Sequence, residues 1–151
     1  MKHAAFDLLL ALHIVTSILG FGAVIATGCV ALSALRAGTT PGVVRYFREG
    51  PNWLSLSVLT VPAFGAGVAL LGTDDVLRQL WPWLALGVWL VAAVVGLAVH
   101  WPAERAIQRS ISGGSGPSAE LAVECRRAAA SAGVMTAVFV VCVALMVVQP
   151  R

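Results

Sequence analysis

Four long stretches of this chain carry no charged residue: Leu8–Leu35, Gly50–Thr73, Gln79–Ala103 and Ala128–Pro150, of 28, 24, 25 and 23 residues. A helix crossing a bilayer needs about 20 consecutive apolar residues, so each stretch is long enough to span one. Together they occupy 100 of the 151 positions, and no segment outside them is long enough to bury a core of its own. Charged residues make up 11% of the chain, against about 25% in an ordinary soluble domain. A water-soluble globule is thereby excluded. The expected fold class is all-α: one integral membrane domain over residues 1–151, a four-transmembrane-helix bundle in up-down-up-down order. Its spans fall at about residues 6–35, 52–73, 80–101 and 126–148.

In such a chain the placement of Lys and Arg says more than their sum. Arg36, Arg45 and Arg48 fall in the first connection and Arg105, Arg109, Arg126 and Arg127 in the third, whereas Lys2, Arg78 and Arg151 lie on the opposite side. The positive-inside rule then places both termini outside and the basic connections against the anionic inner leaflet. Asp74 and Asp75, in the short second connection, agree with that orientation. Nothing in the sequence points to nucleic acid. Ala26-Thr27-Gly28-Cys29 approaches a lipoprotein cleavage site, but the apolar run continues through Val30, Ala31 and Leu32, as a retained first helix requires.

Small residues recur at four-residue spacing in every span: Gly22 with Ala26, Ala63 with Gly67, Gly65 with Ala69, Ala92 with Gly96, and Gly133 with Ala137. In lipid such pairs let backbones approach closely, so they predict a compact bundle. Pro62 predicts a kink in the second span. Trp81 and Trp83 at one end of the third span and Trp101 at the other read as interfacial anchors, with Trp89 the mid-span exception. Trp101-Pro102 predicts an interruption, followed by a short cytoplasmic helix from Pro102 to about Ile111. Ser112 to Pro117 reads as a flexible break, after which Ser118 caps the last helix.

Inside a membrane an ionisable side chain is a functional candidate by default, because burying it unpaired costs several kcal/mol. His13 is the one such residue expected well inside, about 10 Å from the outer face, with Thr16, Ser17 and Gly20 on the same side of the helix. Cys142 and Met146 on the antiparallel fourth helix come to a similar depth. His, Cys and Met are soft-metal ligands, so His13, Cys142 and Met146 form the candidate metal set, for copper or haem iron. His100 cannot share one iron with His13, because their depths differ by about 20 Å; it is expected at the inner interface beside Glu104 and Arg105. His3 is spaced to pair with Asp7. No GxSxG, HExxH or P-loop pattern occurs, and one deep titratable group equips the chain thinly for proton-coupled transport or ion conduction.

Leu12-His13 followed by Gly20 and Gly22, Pro102 after the third span, and the ending Met146-Val147-Val148-Gln149-Pro150 resemble a group of small bacterial four-helix membrane proteins of unknown function. That group is distantly similar to the copper-resistance protein D and protoporphyrinogen oxidase J families. The resemblance implies a bacterial inner-membrane location and gives His13 a role in binding haem or another metal cofactor. Two functions follow as expectations. The first is a non-enzymatic bundle that associates with itself or a larger membrane complex; the second is a haem- or copper-binding redox protein using His13.

Overall fold

In the computed structural model, which describes residues 2–47, 50, 52–72, 76–114 and 118–149, every regular element is helical. Helix α1 runs over Lys2–Ala37 and the short α2 over Pro41–Tyr46. The remaining long helices are α3 (Trp53–Leu71), α4 (Trp81–Ser112) and α5 (Ala119–Val148). With α1 they make four helices long and apolar enough to cross a membrane. Asp74, Asp75, Arg48, Arg151 and the Ser115–Pro117 part of the expected break lie outside the described residues.

Capping follows the sequence where it can be read. Ser118 accepts a hydrogen bond from the Leu121 N–H at 3.1 Å, satisfying one of the free donors at the start of α5. Thr40 does the same for α2, whose first position is Pro41, where a missing N–H costs nothing. Asn52 caps α3 by accepting from the Ser55 N–H at 3.2 Å. The one ion pair among the described residues is Arg127–Glu124 at 3.0 Å, so the expected His3–Asp7 pair does not form.

Both prolines perturb their helices as expected, but neither ends one. Ahead of Pro62, residues Ser57–Thr60 tighten into a 3₁₀ turn, and the Val61 N–H reaches back three residues to the Val58 carbonyl. The indole N–H of Trp89 donates to the same carbonyl at 3.1 Å. Pro62 leaves that carbonyl without its normal partner four residues on, and a side chain from α4 replaces it. Around Pro102 the opposite adjustment occurs. Gly96–His100 widen into a π turn, and the Trp101 N–H bonds the Gly96 carbonyl five residues back. A new α-helical register starts at Trp101 with Pro102 in its first turn, and the helix continues to Ser112. The expected interruption at Trp101-Pro102 is therefore a change of winding within one helix.

The core divides into two apolar clusters. One gathers Phe21, Val24, Val58, Ala92, Met135, Val138 and Cys142, with Phe21 and Phe139 stacked at 4.8 Å. The other gathers Ala31, Val43, Phe47, Ala103, Ile107, Leu121 and Cys125, bringing the end of α1, α2, the end of α4 and the start of α5 together. Between α1 and α3 the close approaches place Gly67 against Leu9, Gly65 against His13 and Gly20 against Val58. Between α1 and α5, Gly28 meets Ala132 so closely that a Cβ on Gly28 would lie 2.5 Å from the alanine methyl.

Candidate functional site

Most of the polar side chains buried in the protein collect between the two apolar clusters. Thr27, Ser55, His100, Glu104 and Ser131 are all buried there, contributed by α1, α3, α4 and α5. The π turn helps to set this arrangement, because its extra residue per turn rotates whatever follows it relative to a regular helix. Trp101 packs its ring on Gly96, where a Cβ would come within 3.0 Å of it, and its Nε1–H donates to Ser55 Oγ at 3.0 Å. Only 6% of Trp101 is exposed, so it is a core residue and not the interfacial anchor that its position suggests.

His100 is fully enclosed, with its Nδ1 3.0 Å from Ser131 Oγ. Ser131 has one hydroxyl proton and gives it to the Ala128 carbonyl at 3.0 Å. The serine oxygen therefore accepts from His100, which fixes the Nδ1–H tautomer and leaves the Nε2 lone pair buried without a partner. His100 thus lies buried between α4 and α5, one turn before Glu104.

Glu104 follows one turn later and is 4% exposed. Its Oε1 accepts from Asn52 Nδ2 at 3.1 Å. Thr27 Oγ1 is 2.9 Å from the Tyr46 hydroxyl, which donates to the Ala23 carbonyl at 3.3 Å. Asn52 thus has two tasks, capping α3 with its oxygen and holding Glu104 with its amide. Burial raises the Tyr46 phenol above its ordinary value of 10.0, the Thr27 hydrogen bond opposing that shift. With His100 and Glu104 enclosed, His13 is not the sole ionisable group inside the bundle. The spacing of Asn52 and Ser55 is the sequence signal that could have found this cluster, because it marks a helix start needing polar partners.

Two members of the sequence-derived metal set have hydrogen-bond partners on different helices. His13 Nδ1 donates to the Val61 carbonyl at 3.0 Å while its ring lies against Gly65, both on α3. Cys142 points Sγ at the Ala85 carbonyl of α4, 3.7 Å away. No hydrogen bond joins His13, Cys142 or Met146 to one another, and the described residues contain no group of three or more His, Cys, Asp or Glu able to hold a metal ion. Comparison with protein-family models, curated proteins and solved structures finds no match for the chain.

Proposed function

We propose that this is a multi-pass protein of the bacterial inner membrane, up-down-up-down with both termini outside, whose non-enzymatic bundle pairs with a second copy of itself. Orientation rests on charge: Arg36, Arg45, Arg105, Arg109, Arg126 and Arg127 belong to the connections and helix ends gathered around the second apolar cluster. The up-down order is supported by the close approaches, in which residue numbers rise along α1 while those of their partners in α3 and α5 fall.

The observation that carries self-association is the division of the small-residue pairs. Gly65, Gly67 and Gly96 are covered by His13, Leu9 and Trp101 of the same chain. Gly22 and Gly133 have nothing within 4 Å of where a Cβ would stand, and both face outward. Ala137 is likewise exposed, and Cys29 lies seven residues beyond Gly22 on the same outward side of α1. Two small-residue pairs are thus free for another helix to approach closely.

Cys29, exposed while Cys125 and Cys142 are buried, is a built-in reporter. Oxidative crosslinking in native membranes should give a species of twice the chain mass, lost in Cys29→Ser and in Gly22→Leu. Because Gly22 has open space around it, the leucine leaves the bundle itself intact. Recovery of monomer alone from the wild type would refute the proposal.

A second reading, of His13 as a haem or copper ligand, has one observation in its favour. With Nδ1–H given to the Val61 carbonyl, Nε2 keeps its lone pair, the arrangement that orients metal-binding histidines. Among the described residues no group of three or more His, Cys, Asp or Glu gathers there, so a full ligand set would need donors of another kind or from a partner. A Soret band or stoichiometric copper that disappears in His13→Ala would support it; colourless, metal-free protein would remove it.

A further inference from the structure

The short helix α2 folds back along α1 and brings an arginine to the level at which an apolar span gives way to charge. Its Tyr46 hydroxyl donates to the Ala23 carbonyl at 3.3 Å and lies 2.9 Å from Thr27 Oγ1. Ala23 stands about 21 Å along the axis before α1 ends at Ala37, further than a tyrosine side chain reaches. The backbone of α2 itself therefore turns back beside the last turns of α1. Val43 and Phe47 pin it there, both buried in the second apolar cluster.

On the other side of α2 lies an open groove of about 540 Å³ lined by Thr39, Pro41, Val44 and Arg45. We infer that this groove binds an anionic phospholipid by its phosphate. The inference rests on the bundle lying in a membrane, as the proposed function does, but on neither its orientation nor its pairing.

The groove is divided chemically as a phospholipid is. The Arg45 guanidinium is a planar fork of N–H donors that matches two phosphate oxygens. Thr39 supplies a hydroxyl beside it, the neighbouring Thr40 being the residue that caps α2. Pro41 and Val44 give the groove apolar walls, and Val44 is exposed although α2 buries Val43 next to it. Leu32 and Leu35, on the last turns of α1, are exposed as well, so acyl chains meet apolar surface at this end of the bundle. The arginine stem can lie along such surface while its head reaches the phosphate layer. Among the described residues the one ion pair is Arg127–Glu124, so no described carboxylate neutralises Arg45. A small anion from water would meet the fork and the hydroxyl and leave Pro41 and Val44 bare; a lipid covers both halves.

The test is native mass spectrometry of the full chain released from bilayer nanodiscs of mixed phosphatidylglycerol and phosphatidylcholine. Phosphatidylcholine balances its phosphate with its own ammonium, so the wild type should retain phosphatidylglycerol in preference. Arg45→Gln should weaken that retention about fivefold, the worth of one arginine at an anionic surface. Thr39→Val should weaken it less, and Arg109→Gln, which changes an exposed arginine near the end of α4, should leave it unchanged. Neither Arg45 nor Thr39 anchors α2 in the core, so both variants should keep the helicity and melting point of the wild type. Equal losses in Arg45→Gln and Arg109→Gln would mean diffuse attraction to the leaflet and overturn the proposal. Full retention in Arg45→Gln would also overturn it, and is the result expected if Arg45 is engaged by Glu49, four residues on in the sequence. Displacement of phosphatidylglycerol by an equal concentration of inorganic phosphate would overturn it as well, because the apolar half of the groove would then contribute nothing. Flotation of the chain with its membranes tests the shared membrane premise separately.

Discussion

The close approach of Gly28 on α1 to Ala132 on α5 offers a stringent test of the packing. In Gly28→Ala the new methyl would stand 2.5 Å from the Ala132 methyl. Carbon atoms in good contact sit about 3.5–4.0 Å apart, so the helices must separate by about 1 Å. Neither methyl can rotate away, because both are attached directly to backbone. Separation also loosens the Phe21–Phe139 stack and the apolar cluster that holds Val24 and Met135. Overpacking of this kind costs about 1–3 kcal/mol, offset in part by the better helix propensity of alanine, about 1 kcal/mol at most. A net loss of about 1–2 kcal/mol is expected. Gly22→Ala is the control: it gains the same propensity into open space and should be neutral or slightly stabilising. The decisive variant is Gly28→Ala with Ala132→Gly, which moves the methyl across the interface and should recover most of the loss. Helicity during reversible unfolding in mixed detergent–SDS micelles measures all four proteins. If Gly28→Ala is as stable as Gly22→Ala, or the exchange gives no recovery, the α1–α5 interface described here is wrong.

Three further outcomes follow from single groups. Trp89→Phe removes the donor to the carbonyl freed by Pro62 and should lower stability by about 1 kcal/mol in the same unfolding assay, with less effect if Val61 alone satisfies that carbonyl. Ser131→Ala strands the second nitrogen of His100 and should cost about 1–3 kcal/mol, whereas His100→Leu with Ser131→Ala removes both partners and should sit nearer the wild type. Because burial lifts the Tyr46 phenol above 10.0, the folded chain holds that proton longer than the unfolded one. The resulting stability is present below pH 10.0 and is lost as pH rises through the higher folded value. An alkaline stability titration should show that loss in the wild type and not in Tyr46→Phe.

Four apolar helices and the close packing of small residues could be read from the sequence because both depend on composition and period. Helices must satisfy their own backbone in lipid, and Gly65 or Gly67 permits close approach wherever a neighbour falls. Which small pairs face inward could not be read, since Gly22 and Gly65 have the same spacing to an alanine and differ only in what stands opposite. The polar cluster was hidden for a related reason. His100, Trp101 and Glu104 lie where an apolar span gives way to charge, and that position alone reads as an interface. Their burial goes with partners distant in sequence, Asn52 and Ser55 at the start of α3 and Ser131 on α5.

The two prolines carry this reasoning one step further. In a membrane a helix cannot turn a freed carbonyl toward water, so the donor that proline lacks has to be replaced by rewinding or by another helix. At Pro62 both replacements occur, with a tightened turn behind it and Trp89 reaching in from α4. The Val61 carbonyl beside it accepts from His13 of α1, so α3 is tied to two neighbours within four residues. At Pro102 rewinding predominates, and the same widened turn places His100 against Ser131 on α5 and Trp101 against Ser55 on α3. Helix breakers identified by sequence rules are here the points at which the bundle is cross-linked. Replacing Pro62 with alanine should accordingly restore an intrahelical donor to the Val58 carbonyl and make Trp89→Phe nearly silent in that background, a non-additivity of about 0.5–1 kcal/mol. Full additivity of the two substitutions would mean that the indole is held by packing and that the proline has no part in recruiting it.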